Sequence, residues 1–365
     1  MNPAADGDII ARIRASTNGL GVDAFMQLAA SAYYASAKPF GREGDFITSP
    51  EISQMFGEMI AIWCADLWAQ AGKPAKIMLA ELGPGRGTLM ADILRTARNW
   101  PDFQAALGVH LVETSPQLRK AQAAAMGAVQ PVWHDTVDTL PRDAFSLIIS
   151  NEFFDALPIC QLVWQGGAWQ ERCVMWDQAA GHLAFALRPL ENASLAAQVP
   201  AHVTPAEGDI FEISPASRAI AATLGAHIAQ TGGACLAIDY GHARSACGDT
   251  LQAVSKHKYT GVLENIGQQD ITAHVDFAAL ALAAAGAGTQ SWPVITQEKF
   301  LNALGIAARA EQLAQKATPQ QRGQIPLDLH RLTAPSAMGT LFKAVCWTRA
   351  GDRLIPAGFQ DQEGV

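Results

Sequence analysis

Charge is scarce in this chain, and what there is leans acidic. Only 16% of its 365 residues are Asp, Glu, Lys or Arg, and the formal net charge is −8 at pH 7. A general nucleic-acid binder needs a basic face, so the balance argues against that class and suits a cationic substrate or a basic partner. Hydrophobic residues at 49% rule out a disordered chain. The length allows one large core with insertions, or two domains. Long apolar runs are missing: those present are strand-sized, so no membrane span is expected. Paired cysteines are missing too. Cys64, Cys160, Cys173, Cys235, Cys247 and Cys346 include no Cys-x-x-Cys, which points to reduced, buried thiols and to no zinc or other metal. Met1 to Asp8 is polar and acidic, unlike a secretory signal or an arginine-rich transit peptide, so a cytoplasmic location is expected. There is no internal repeat, and no low-complexity tract beyond general alanine enrichment.

What is present centres on Leu79 to Gly87, which reads Leu-Ala-Glu-Leu-Gly-Pro-Gly-Arg-Gly. An apolar run, Ile77 to Ala80, meets Glu81 and then three glycines, after which Thr88 to Arg98 can continue as a helix. That is a buried strand, a tight turn and a helix N-terminus. Glycine is required where the chain turns with positive φ or where a ligand lies against the backbone. A dinucleotide loop wants Gly-x-Gly-x-x-Gly. Counting from Gly83 and Gly85, the third position is Thr88, and the third glycine comes one residue early at Gly87. Glu-x-Gly-x-Gly-x-Gly, from Glu81 to Gly87, resembles the cofactor loop of class I methyltransferases, which bind S-adenosylmethionine. That ligand carries a sulfonium and an ammonium and no pyrophosphate, so an acid beside the loop is tolerable.

The next strand, Val109 to Val112, ends in Glu113, followed by Thr114-Ser115-Pro116, which can cap a helix. In a parallel open sheet the ligand lies at the carboxyl ends of the strands. Glu113 is well placed there to accept the two ribose hydroxyls of an adenosyl ligand. NAD shares this ribose, so Glu113 alone does not separate the two cofactors; the glycine spacing does.

Along the rest of the chain the pattern is α/β with interruptions. Residues 8–36 and 50–71 read as helical, with the loop Pro39–Glu51 between them, dense in Gly, Arg, Asp and Thr. Helices are expected near 116–126, 214–230 and 275–285, and strands at 129–134, 145–150, 234–239, 289–295 and 342–347. Residues 160–188 alternate apolar and polar residues with turns at Gly166-Gly167 and at 177–181, an antiparallel meander inserted in the βαβ series. Expected organisation is therefore an N-terminal helical segment (1–72) and a main domain (73–365). The main domain carries an antiparallel insertion at about 158–212 and a helical one at about 296–340.

Chemistry is expected at the fourth strand end. Asn151, Glu152 and Asp155 supply an amide and two carboxylates beside Phe153 and Phe154. Methyl transfer from a sulfonium needs an acceptor held in line, desolvated and relieved of its proton. Paired carboxylates suit a guanidinium acceptor, which they bind in bidentate fashion. A hydroxyl acceptor would want a neutral base, for which His242 in Asp239-Tyr240-Gly241-His242 is the candidate. Alternatively Glu152 and Asp155 cap a helix after the strand, and His242 is an ordinary loop histidine.

Five blocks occur in order: Asp45–Ser53, Glu81–Thr88, His110–Glu113, Asn151–Pro158 and Asp239–His242. Together they resemble the successive motifs of the MidA family (DUF185-type), which includes the mitochondrial assembly-factor protein arginine methyltransferase of respiratory complex I. His257-Lys258, Asp270–Phe277 and Phe300–Ile306 are similar to further blocks, so the resemblance spans about residues 30–347. It implies a class I methyltransferase (Rossmann-like) fold: a mostly parallel seven-stranded sheet with helices on both faces. It implies S-adenosylmethionine as cofactor, with S-adenosylhomocysteine as product, and an N-terminal segment that closes over the cofactor through Gly41–Ser53. The implied cofactor site takes in Thr48 and Ser49 with Glu81, Gly83, Gly85, Gly87, Glu113 and Asn151. From the mitochondrial member it implies symmetric dimethylation of an arginine on the 49 kDa-type subunit of complex I. The chain shows no mitochondrial presequence and so resembles a bacterial member. Two other functions stay open: a small-molecule O- or N-methyltransferase leaning on His242, and an assembly chaperone that binds the cofactor without turnover.

Overall fold

A computed structural model describes residues 3–36, 48–255 and 258–360. The chain divides into two compact units. One comprises Met1–Phe46, Asp155–Arg218 and Arg244–His274; the other comprises Ile47–Phe154, Ala219–Ala243 and Val275–Val365.

The second unit is built on a nine-stranded sheet. Seven strands form its path: β1 (Ile77–Leu82), β2 (Leu107–Val112), β3 (Val132–His134), β4 (Phe145–Asn151), β5 (Gly233–His242), β6 (Thr289–Ser291) and β7 (Phe342–Arg349). Across the sheet their order is β3-β2-β1-β4-β5-β7-β6. Strands β1 to β5 run parallel to one another, and β7 runs antiparallel, between β5 and β6. Two further two-residue strands, Val275–Asp276 on β5 and Ile295–Thr296 on β7, complete the nine. Every residue of β1 is buried, as expected of a central parallel strand covered on both faces. The strand order reverses between β1 and β4, so a crevice opens at their carboxyl ends. This is the class I methyltransferase arrangement expected from the motifs.

Helices α1 (Gln54–Gln70), α2 (Thr88–Ala97) and α3 (Pro116–Met126) belong to the same unit. Phe56 and Trp63 of α1 share one buried cluster with Leu79 of β1 and Phe342 of β7. The second insertion is helical, with helices at Gln297–Ala303, Ile306–Lys316 and Pro319–Thr333. Its Arg309 grips buried Glu58 of α1 through two hydrogen bonds, at 2.8 and 2.9 Å.

The first unit carries an antiparallel five-stranded sheet. Ala168–Asp177 pairs with Leu20–Gly21, Cys160–Gln165 and His182–Pro189, and Ile210–Ile213 pairs with Cys160–Gln165. The alternating stretch 160–188 thus forms the expected meander. Helices Pro3–Ala15 and Val22–Ser36 bury Ile13, Phe25 and Met26 in this unit's core.

Several elements differ from expectation for local reasons. The single helix expected over 8–36 is two, broken where Gly19 takes φ +69°. The helix over 50–71 is interrupted at Ser53, which is extended (φ −157°) and caps α1 by accepting the N–H of Met55. The strand near 289–295 splits around Trp292-Pro293, since proline cannot donate to the ladder. Of the loop Pro39–Glu51, residues up to 47 lie outside the described residues, as does His257; the closure expected of the 41–53 segment falls mostly on that part.

Candidate active site

Gly83, Gly85 and Gly87 take φ of +59°, +51° and +83°, in the left-handed region that glycine adopts without strain. A Cβ on Gly83 would stand 2.9 Å from Cδ2 of Phe153. The Gly83 N–H donates to the Val112 carbonyl of β2, and the Gly87 N–H closes a turn onto Pro84. Gly87 is the N-cap of α2, so the loop delivers the chain from β1 to a helix N-terminus. Glu81, one residue before the end of β1, is buried. Burial pushes its carboxyl up to about 8, against the N–H of Met90, which favours the charged form. Its Oε2 has no partner among the described residues.

Glu113 follows β2 directly. Its Oε1 accepts the N–H of Ser115 at 2.8 Å, and Oε2 accepts Nε2 of Gln122 at 3.2 Å. Burial raises its carboxyl above the usual range; those donors, the N–H of Thr114 and the charge of Arg119 oppose the rise. Beside it opens a cavity of about 330 Å³, lined by Gly83, Glu113, Asp135, Asp138 and Phe153 among others.

The fourth strand end is built tightly. Asn151 closes β4, buried, and its Nδ2 donates to Oε1 of Glu152 at 3.1 Å. The same Oε1 accepts the N–H of Ser49 at 2.9 Å. Glu152 sits at φ +51°, one of three non-glycine residues with positive φ among those described. An L-residue pays roughly 1–2 kcal/mol for this conformation, and such outliers gather at functional sites. Three observations hold it there: the Glu152 N–H donates to Ile238 of β5, and the next two N–H groups, of Phe153 and Phe154, both donate to Oδ2 of buried Asp239. No helix follows, as residues 152–159 are turn and bend, so Glu152 and Asp155 have no helix to cap. Thr48 and Ser49 begin the short helix Ser49–Ile52, whose Glu51 accepts the hydroxyl of Thr88 at 2.8 Å.

Glu81 pairs in register with Ile149, so Glu81 and Asn151 point to one face of the sheet. Buried there without partners among the described residues are Oε2 of Glu81 and Oδ1 of Asn151; the buried hydroxyl of Ser49 is likewise unpartnered.

His242 stands apart from this cluster. Asn151 registers with Ile238, four residues before His242, which is roughly 13 Å along the strand. His242 Nε2 lies 4.0 Å from Oδ2 of Asp276; burial keeps its imidazole below its ordinary value, with Asp276 opposing. Asp155 falls in the first unit, buried, its carbonyl accepting the N–H of Ala273. Two residues of the site were not foreseen: Gln122, a mid-helix glutamine with no sequence signal, and Asp239, whose position in the Asp239–His242 block was the only hint.

Residues 59–294 match the family described as "Putative S-adenosyl-L-methionine-dependent methyltransferase". The chain belongs to this family. The mitochondrial protein arginine methyltransferase NDUFAF7 of Homo sapiens is 35% identical to this methyltransferase over 347 residues, 86% of this chain and 75% of its own length. Its Drosophila melanogaster homolog is 34% identical over 339 residues, 86% of this chain and 77% of its own. Among solved structures, a protein from Burkholderia thailandensis bound to S-adenosyl-homocysteine superposes with a TM-score of 0.84 at 28% identity, covering 99% of this chain and 95% of that one. The family, the class I fold and dependence on S-adenosylmethionine, all expected from the motifs, thus hold for this methyltransferase. No helix among its described residues is long and apolar enough to cross a membrane.

Proposed function

We propose that this methyltransferase modifies arginine side chains of a protein substrate, and that Glu152 is the residue that receives the guanidinium. The observation that carries the proposal is the geometry of Glu152. Glu152 is held with its backbone in the left-handed region at the end of β4, beside the glycine loop, by bonds to its neighbour Asn151 and to two other segments of chain, at Ser49 and Ile238. The printed function of the relatives, protein arginine methyltransferase, supports it.

The residues present suit the cofactor. The Glu113 carboxylate can take the ribose hydroxyls, and the cavity beside it the adenine. The unpartnered oxygens of Glu81, Asn151 and Ser49 are acceptors, as an ammonium group requires. When bound, S-adenosylmethionine supplies a methyl group made electrophilic by its sulfonium.

Glu152 then binds the planar guanidinium and turns one nitrogen toward that methyl. Its negative charge steadies the positive charge on the acceptor, which is worth most where water is excluded. Phe153, packed against Gly83, supplies part of that exclusion. The nitrogen that gains the methyl gives up a proton, and the Glu152 carboxylate is the acceptor at hand. As the physiological substrate we propose a complex I subunit of the 49 kDa type, with symmetric dimethylation as the product.

The test is transfer of labelled methyl groups from S-adenosylmethionine into a desalted lysate, followed by hydrolysis of the labelled protein. Recovery of label as methylated arginine is the expected result. Label confined to small molecules, or to residues other than arginine, overturns the proposal.

A further inference from the structure

Gln122 lies on the second turn of α3, where a glutamine would ordinarily face solvent, yet it is wholly buried. Three of the four hydrogen-bonding directions of its amide are committed. Nε2 donates to the Gly85 carbonyl at 2.8 Å and to Oε2 of Glu113 at 3.2 Å, while Oε1 accepts the indole N–H of Trp133 at 2.8 Å. A primary amide has two donors on nitrogen and an acceptor oxygen, so this arrangement is satisfied in one orientation only. Turned over, it would set its oxygen against two other oxygens and its NH2 against an N–H. Trp133, with a donor and no acceptor, chooses the orientation.

The amide therefore ties together two segments that approach the ligand crevice from different strands: the loop after β1, at Gly85, and the acid after β2, at Glu113. Gly87 makes room for the tie, since a Cβ there would stand 3.1 Å from Cα of Gln122. We infer that Gln122, oriented by Trp133, is a positioning residue that sets the glycine loop and the Glu113 carboxylate at the separation the cofactor needs. The inference rests on Glu113 and the Gly83–Gly87 loop being the cofactor's contacts. Gln122 itself holds the binding groups in place and meets no acceptor substrate.

Methionine matches the length and shape of glutamine and removes both donors. In Q122M the Gly85 carbonyl and the Glu113 carboxylate lose their shared donor, and binding of S-adenosylhomocysteine, measured by calorimetry, should weaken about tenfold or more. The concentration of S-adenosylmethionine giving half-maximal label transfer in lysate should rise by the same factor. The rate at saturating cofactor should change less than twofold, a split that general loss of structure would not produce. W133F keeps the glutamine and frees its orientation, so it should weaken binding by a smaller factor, and it serves should Q122M fail to fold. Wild-type affinity in both variants, with E113A impaired, overturns the inference alone. Wild-type affinity in E113A overturns the ribose role of Glu113 and the inference with it.

Discussion

The backbone N–H of Ser49 donates to the Glu152 carboxylate at 2.9 Å, a bond between residues 103 apart in the chain. It joins the segment that precedes α1 to the end of β4, and it spends a buried backbone donor on a side-chain carboxylate. A hydrogen bond of this kind stabilises the charged form of an acid. Glu152 is thus held in place by a segment far from it in the chain.

Replacing Glu152 by Gln keeps the shape and removes the charge. Turnover should fall by about two orders of magnitude or more, because aimed charge is usually the largest catalytic contribution. Affinity for S-adenosylhomocysteine should stay within a few-fold. His242→Ala should do far less, given its place four residues along β5 from the register of Asn151. Measuring methyl transfer by both variants decides the matter: a dead His242→Ala beside an active Glu152→Gln would transfer the role to a hydroxyl-directed base.

Glu113→Ala removes the acid at the end of β2. Loss of one or two charge-assisted hydrogen bonds should cost about 1.5–3 kcal/mol each in cofactor binding. Calorimetry with S-adenosylhomocysteine should show it directly, and tight binding of NAD by the wild type with no heat from S-adenosylhomocysteine would contradict the assignment.

Gly83→Ala combines two penalties, a Cβ at φ +59° and a contact of 2.9 Å with Phe153. The backbone part should cost roughly 1–2 kcal/mol. In a double-mutant cycle Phe153→Ala should return the steric part and leave the backbone part, so full recovery of the unfolding midpoint would refute the φ argument.

Glu81 makes stability depend on pH with a definite sign. Its folded value of about 8 lies above the ordinary 4.5. The fold keeps a proton that the unfolded chain releases, so the contribution is complete below about pH 4.5 and declines as pH rises toward 8. Glu81→Gln carries no such proton. It should melt at least about 2 °C above the wild type at pH 8 and lose that advantage at pH 4. A difference in midpoint that ignores pH would disprove the neutral state of Glu81.

Much of this was legible because burial leaves periodic marks. The mostly apolar runs of β2 and β4 announce parallel strands, and the acids Glu113 and Glu152 stand just beyond them. A cap for α3 at Thr114 or Ser115 was equally plain, and it is the Ser115 hydroxyl that accepts the N–H of Leu118. Gln122 was not legible, since its partners, Gly85, Glu113 and Trp133, come from three other segments and leave no spacing rule behind. Strand Leu20–Gly21 is too short to carry a pattern. The break at Ser53 was hidden because serine also occurs inside helices. The left-handed turn at Glu152 could not be read either, for it is imposed by Asp239 and Ile238, more than 80 residues downstream.

The placement of β7 has a consequence for how this enzyme is made. Strand β5 ends at His242, and β7, which pairs with it from Ala234↔Thr348 to Tyr240↔Phe342, begins only at Phe342. At about 5–20 residues per second, a ribosome needs roughly 5–20 s to make the intervening hundred residues. Until then the edge of β5 that β7 covers, with Leu236 and Ile238, lacks its partner strand, and an uncovered strand edge is a template for pairing with a neighbouring chain. Asp239, which braces the turn at Glu152, sits on that same unfinished strand. The β7 side of β5, the strand that carries Asp239, can therefore close only once Phe342–Arg349 has been made.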